Sequence, residues 1–403
     1  MSTAVVVLDA ASTAYDFAPD HPMQPARLVL LEELSRRLGV LGRPGVEVLP
    51  ARVADDQEIL TVHDSDFVRV VRAASDPTTR PVLPKLLAYG IGGDDVPAFD
   101  GMHEAAARLA GGTLEAVEAV VAGRAPRAVH AAGGMHHARA SQAAGFCVYN
   151  DAAIGIRRAL DRGVRRVLYV DLDAHHGDGV ERTFWDDPRV VTFSIHETGE
   201  VLFPGTGFVQ DLGGAGALGT AVNLPLPPRT GGEGWLRALQ AVLPVLARAM
   251  RPELIVSQHG ADAHRDDPLA DLALTLEAQR EAALLVRDLA DELCEGRWVA
   301  VGGGGYAITD VVPRAWTHLL AIVTGDPLPA NGPLPQDWTQ VATRIAREHG
   351  LPDPRHQTTL GDHHELAVRD WSRGYDPEDP LDRAVQACRR SVFPEWGLDP
   401  FYD

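Results

Sequence analysis

The chain has 403 residues, 45% of them hydrophobic and 23% charged, which excludes a disordered chain and allows two or three domains at roughly 150 residues each. Its 37 basic against 56 acidic residues leave a net charge of −19 with neutral histidines, which disfavours nucleic acid as a partner and leaves cationic ligands open. Cys147, Cys294 and Cys388 are too few for a disulfide framework; the N-terminus lacks a basic leader and no apolar run is long enough to span a bilayer, so a cytoplasmic protein without a membrane partner is expected.

Short β-branched runs bounded by turn residues predict strands at 5–8 (VVVL), 128–132 (AVHAA), 167–173 (VLYVDLD), 190–195 (VVTFSI), 254–258 (LIVSQ) and 298–301 (WVAV). Between several of them lie helical stripes: Leu114, Val117 and Val121; Leu236, Leu239, Leu243 and Leu246; Leu285, Leu289 and Leu293. Strands apolar on both faces, alternating with helices, predict an α/β fold with a parallel sheet covered by helices on each side. Composition shifts after Gly325. The segment 326–403 holds ten of the 29 prolines and Trp338, Trp371 and Trp396, and is expected to be a helical appendage packed on the main domain (1–325) or used for association.

The chemistry lies in the segments that leave the strands. AVHAA runs into GGMHHA, VLYV into DLDAHHGDG, VVTFSI into HETGE, LIVSQ into HGADAH and WVAV into GGGGY. Polar, glycine-rich segments at the C-terminal ends of parallel strands are expected to converge on one site. In Asp171-Leu172-Asp173-Ala174-His175, period two on an extended strand puts the three polar side chains on one face. Gathering two carboxylates and an imidazole is costly unless a cation compensates, a divalent metal being the usual solution, and Asp262, just beyond LIVSQ, is a further ligand candidate. An Asp/His/Asp set with an open position suits a catalytic Zn²⁺ or Fe²⁺; helix capping by Asp171 and Asp173 is the plainer alternative. His136 and His137 are candidates for general acid–base work, with Asp171 and Asp178 as orienting partners. His363 and His364 come after no strand and read as solvated surface. Tyr306, after four glycines, is a candidate to stabilise an oxyanion if it lies near the metal; taken alone GGGGY is a turn, and no Lys-Ser/Thr comes after it to make a phosphate loop.

Together these segments resemble the histone deacetylase superfamily, in particular its bacterial acetoin-utilisation branch. The resemblance rests on HPMQPAR (21–27), GGDDVP (92–97), GGMHHA (133–138), GFCVYND (145–151), VDLDAHHGDG (170–179), FPGTG (203–207), GADAHRDDPL (260–269) and GGGGY (302–306), in collinear order over 1–325. It implies an arginase/deacetylase-like three-layer α/β/α fold with a mainly parallel sheet, and zinc-dependent hydrolysis of the acetyl amide of acetyl-lysine. By motif, it makes Asp173, His175 and Asp262 the metal ligands and His137, oriented by Asp178, the general base and then acid. His136, paired to Asp171, is the electrostatic partner, and Tyr306 polarises the acetyl carbonyl. Phe146, beside Gly145, and Phe203 would wall a tunnel for the lysine methylenes, Asp95 would accept hydrogen bonds from substrate backbone, and Arg27 would lie below the metal on the acetate exit. A structural K⁺ near Asp171, Asp173, His175, Ser194 and Ile195 is also implied. The protein partner is an acetylated lysine protein or peptide, with acetyl-CoA synthetase offered by analogy.

Gln24 stands where the animal class I pattern has lysine and Pro268 where it has arginine, which argues against inositol-phosphate regulation; Met135 replaces the usual leucine. Rival readings are an acetylpolyamine deacetylase, a two-manganese ureohydrolase, for which His136 and His137 stand where further carboxylates are needed, and a non-catalytic acyl-binding protein, against which no ligand or tyrosine is lost.

Overall fold

Along the first strand, Ala4 and Val6 enter one apolar core while Val5 and Val7 enter another; along the fourth, Leu168 and Val170 join the first core and Val167 and Tyr169 the second. Successive side chains of a strand point to opposite faces, so a sheet covered on both sides needs apolar residues at nearly every position. The structure, a computed structural model, describes residues 2–403. Its strands are β1 (Ala4–Val7), β2 (Val46–Leu49), β3 (Arg127–His130), β4 (Val167–Asp171), β5 (Val190–Glu197), β6 (Ala221–Leu226), β7 (Leu254–Gln258) and β8 (Trp298–Val301). They form one sheet in the order β2-β1-β3-β8-β7-β4-β5-β6, every neighbouring pair parallel. The fold is α/β, in three layers.

All six predicted runs are strands, with adjusted ends: β4 stops at Asp171 and β5 continues to Glu197. The pattern of β-branched runs does not reveal β2 and β6, the two edges of the sheet. The VEVL run of β2 is only half-buried, and β6 carries Pro225, which an edge strand tolerates because one side needs no ladder donor.

Helices Met102–Val121 and Asp151–Asp161 cover one face; Gly232–Met250, Leu276–Leu293 and Val312–Val323 cover the other. The leucine stripe of Gly232–Met250 is fully buried. That of Leu276–Leu293 is not, because Leu285 and Leu293 are only half-buried. Its core face is built from Ala278, Ala282, Ala283, Val286 and Ala290 together with Leu289, the one member of the predicted stripe that is buried.

Beyond residue 325, helix Trp338–Glu348 packs Trp338, Val341, Ala342 and Ile345 against Ala26, Leu30 and Leu34 of helix Ala26–Arg37. Helix Pro380–Val392 lies on Gly232–Met250, where Asp382 takes two hydrogen bonds from buried Arg237, at 2.8 and 2.9 Å. The order of the sheet positions the site. β8 and β7 are inserted between β3 and β4, so the loops leaving these four strands emerge side by side at one edge.

Candidate active site

β4 ends at Asp171, so Asp173 and His175 lie in a loop and the period-two argument does not extend to them. Loop hydrogen bonds align them instead. Asp173 N–H donates to Asp171 Oδ1 (3.2 Å) and His175 N–H to Asp173 Oδ1 (3.0 Å). His175 Nδ1 stands 3.1 Å from Asp173 Oδ1 and 3.1 Å from Asp262 Oδ2, which arrives from the loop after β7. Each carboxylate commits one oxygen to the protein and turns the other to the histidine. Asp173 Oδ2 accepts from Gln258 Nε2 (2.6 Å) and Gly304 N–H (2.9 Å), and Asp262 Oδ1 from Ala174 N–H (2.9 Å). A Cβ at Gly304 would sit 1.9 Å from Asp262 Oδ2, so the loop after β8 approaches this closely only as glycine.

All three donor residues are buried, with their ligand atoms within 4.8 Å of one another, and no other such trio of His, Cys, Asp or Glu gathers among the described residues. Burial and the adjacent Asp173 carboxylate push Asp262 up from its ordinary range, the cost of two buried acids facing each other. Two anionic oxygens and one imidazole nitrogen, without a fourth protein donor, fit a divalent cation of the Zn²⁺ or Fe²⁺ kind with coordination left open.

His136 and His137, on the loop after β3, have ring centroids 3.9 Å apart. His136 Nδ1 lies 2.8 Å from Asp171 Oδ2, which also accepts from Tyr169 (2.7 Å). His137 Nδ1 lies 2.8 Å from Asp178 Oδ1, whose other oxygen takes two hydrogen bonds from Arg139, at 2.7 and 3.0 Å. Burial disfavours the charged His136 ring, yet Asp171 and Asp173 outweigh it and hold His136 up at about 9. Burial and the neighbouring His136 charge press His137 down to about 4, against the pull of Asp178. Neutral His137 therefore adjoins charged His136.

Tyr306 sits at the end of the glycine loop, its N–H donating to buried Asp267 (2.7 Å). Burial, then the Asp262 and Asp173 carboxylates, keep its phenol well above the usual range, so it remains a hydrogen-bond donor at neutral pH. Buried Arg27 braces the same loop from behind, donating to the carbonyls of Gly303 (2.9 Å) and Gly305 (3.3 Å), with its guanidinium 5.2 Å from the Trp316 ring.

A cavity of about 200 Å³ leads to these groups, lined by Met135, Gly145, Phe146, Phe203 and Tyr306 among others. The Phe146 ring lies 5.6 Å from Tyr306 and the Phe203 ring 5.0 Å from His137. A Cβ on Gly145 would meet His137 Cδ2 at 2.3 Å, so glycine is required where the chain passes over the ring. Exposed Asp95, also lining the cavity, accepts the Gly145 N–H (2.9 Å).

Ser194 is the register partner of Asp171 across β4 and β5, its hydroxyl 2.8 Å from His196 Nδ1, and Ile195 is buried. His363 is exposed, whereas His364 is half-buried, 2.6 Å from Glu233. Sequence reasoning overlooked four supports. Gln258 and Tyr169 hold Asp173 and Asp171; Asp267 anchors Tyr306; buried Asp151 accepts the backbone N–H groups of Gly134 and Met135, fixing the histidine loop. A polar residue closing an apolar run (Gln258) and an acid inside a family motif (Asp267, Asp151) were the available signals.

A possible metal-holding trio beside a carboxylate-held histidine pair and a half-buried tyrosine is compatible with the class of metal-dependent hydrolases. Residues 21–323 match the histone deacetylase domain, and the chain belongs to that family of deacetylase type. It is 39% identical over 339 residues to the acetoin utilization protein AcuC of Bacillus subtilis (strain 168), covering 84% of this chain and 86% of that one. To AcuC of Staphylococcus xylosus it is 37% identical over 324 residues, covering 80% and 83%. Among solved structures, an HDAC homolog from Aquifex aeolicus superposes with a TM-score of 0.82 at 28% identity, over 95% of this chain and 100% of that one. An HDAC homolog complexed with SAHA gives 0.81 at 26% identity, over 96% and 100%. The chain thus stands in the acetoin-utilisation branch.

Proposed function

We propose that this protein hydrolyses the acetyl amide of N-ε-acetyl-lysine in proteins or peptides, water and amide giving acetate and the free amine. The observation carrying this reading is the shape of the cavity. Two phenylalanines flank a path of about 200 Å³ that ends at Asp173, His175, His137 and Tyr306, a fit for a four-carbon stem with an amide at its tip.

A divalent cation held by Asp173, His175 and Asp262, Zn²⁺ or Fe²⁺ by donor chemistry, supplies Lewis acidity toward the acetyl carbonyl and toward water. His137, neutral and with Nδ1 committed to Asp178, offers Nε2 to take the proton of the attacking water and return it to the leaving amine. The Tyr306 hydroxyl and the positive His136 ring stabilise the negative charge that develops on the carbonyl oxygen. Arg27 holds the glycine loop that aims Tyr306 and lies on the proposed acetate exit; Asp95 beside Gly145 receives substrate backbone at the rim. A K⁺ near Asp171, Asp173, His175, Ser194 and Ile195 belongs to the same proposal as a structural ion.

The test compares kcat/KM on an acetyl-lysine peptide with that on an N-acetylated diamine. The proposal expects the peptide to be preferred; preference for the diamine makes this an acetylpolyamine deacetylase, which its net charge of −19 also suits. Acetylated acetyl-CoA synthetase is the protein substrate to try first.

A further inference from the structure

Residues 326–403 lie beyond the matched family domain, yet part of this segment reaches the loops that carry the candidate site. The buried loop residue His264, two positions after Asp262, accepts the Asp266 N–H at Nδ1 (3.1 Å). Its proton must therefore be on Nε2, which donates to Asp362 Oδ2 at 2.8 Å. The same carboxylate takes the N–H of Leu276 (3.0 Å), the first residue of helix Leu276–Leu293, and a hydrogen bond from Arg314 (3.2 Å). Arg314, buried in the helix after the glycine loop, also donates to Gly361 O (2.9 Å).

Seven residues earlier, Arg355 bridges the loop of His264 and the glycine loop. Its guanidinium reaches Asp266 Oδ2 (2.7 Å) and Asp310 Oδ2 (3.0 Å), and its N–H donates to Asp310 Oδ1 (3.0 Å). Asp266 adjoins Asp267, which holds the Tyr306 N–H, and Asp310 closes the loop that begins at Gly302.

We infer that residues 355–362 form a strap that sets the active-site geometry, Asp362 positioning the metal-ligand loop through His264 and Arg355 positioning the Tyr306 loop through Asp266 and Asp310. The roles of the positioned residues rest on the proposed reaction; the strap's contacts do not. A buried carboxylate shared by a histidine, a helix start and an arginine fixes a backbone more strongly than a surface pair, so Asp362 carries the larger effect. Arg355 is more than half exposed, and its effect comes from bridging two loops at once.

The test uses the full chain, measuring Zn²⁺ affinity by competition with a chelating dye, kcat and KM on an acetyl-lysine peptide, and thermal midpoint. Asp362→Ala is expected to weaken Zn²⁺ binding severalfold, less than the roughly tenfold to hundredfold lost when a group hydrogen-bonded to a metal ligand itself is removed, because Asp362 acts one residue further out through His264. Asp362→Asn, which keeps an acceptor for His264 Nε2–H, is expected to recover much of that loss. Arg355→Ala is expected to lower kcat with KM and Zn²⁺ affinity unchanged, and Arg355→Lys to recover part of it. Folded Asp362→Ala and Arg355→Ala with wild-type Zn²⁺ affinity and kcat, only the thermal midpoint having moved, would overturn the strap. Should Asp362→Ala not fold, Arg355→Ala decides: unchanged kcat rejects the inference. If the wild-type chain hydrolyses no acetyl amide while Asp362→Ala still weakens Zn²⁺ binding, the reaction proposal fails and the strap stands.

Discussion

His136 and His137 are adjacent in the chain and nearly in contact, yet their carboxylate partners differ. Asp171 is fully buried, accepting from Tyr169 and His136, whereas Asp178 shares its charge with Arg139. Against the cost of burial, Asp171 and Asp173 hold the His136 ring charged at about 9, whereas burial and that neighbouring charge press His137 down to about 4 despite Asp178. Two like groups pushed apart in this way divide the work of proton acceptor and electrostatic stabiliser.

This split sets a pH dependence. His137 accepts a proton only while neutral, and its pKa lies below the ordinary 6.5, so kcat/KM should hold at pH 6.5 and fall as pH drops toward about 4. Asp178 is among the groups raising that pKa, so Asp178→Asn should move the acid limb lower still and reduce kcat about tenfold to a hundredfold through lost orientation of the ring. A limb that moves to higher pH in the variant contradicts this assignment.

The Tyr306 phenol is kept protonated by burial and by two carboxylates. Tyr306→Phe removes one donor to the oxyanion and should cost roughly 10² to 10³ in kcat, the range known for such donors. Metal content, measured by elemental analysis, should match wild type. Unchanged turnover removes Tyr306 from the chemistry.

Dialysis against a chelator should abolish activity, and Zn²⁺ or Fe²⁺ should restore it. Asp262→Asn retains the shape but removes one of two anionic donors, so restoration should need far more metal. Full activity in chelated protein, verified as metal-free, would mean the trio serves another purpose.

The buried pair Arg237–Asp382 joins helix Gly232–Met250 to helix Pro380–Val392. Asp382→Ala leaves a guanidinium without its counter-charge, a change that typically costs about 3–5 kcal/mol. Arg237 still donates to the carbonyls of Arg369, Asp370 and Gly374, so the lower end of that range is expected from urea denaturation. A loss much under about 1 kcal/mol would place the docking energy elsewhere, since that is the scale of an exposed pair.

Much of the molecule is legible from local pattern. Six of the strands, three of the helices between them and the site motifs at the strand ends can be read because period two, period 3.6 and glycine-rich turns are properties of neighbouring residues. For Asp173 and His175 the period-two reason fails, since they lie past the end of β4 and are aligned by loop hydrogen bonds. Edge strands β2 and β6 escape because half-buried or proline-bearing runs give a weak alternation, and the alanine face of Leu276–Leu293 escapes because small residues leave no hydrophobic stripe.

What the chain alone determined is the inventory: which carboxylates, imidazoles and tyrosine stand at strand ends, and the family their motifs resemble. Only the tertiary structure decided which of them meet. Inserting β7 and β8 between β3 and β4 brings Asp262 to His175 and Gly304 to Asp173, and the same packing carries Asp362 to His264. Spacing along a chain encodes faces of single elements, whereas hydrogen bonds between distant loops depend on strand order and on how a later segment folds back.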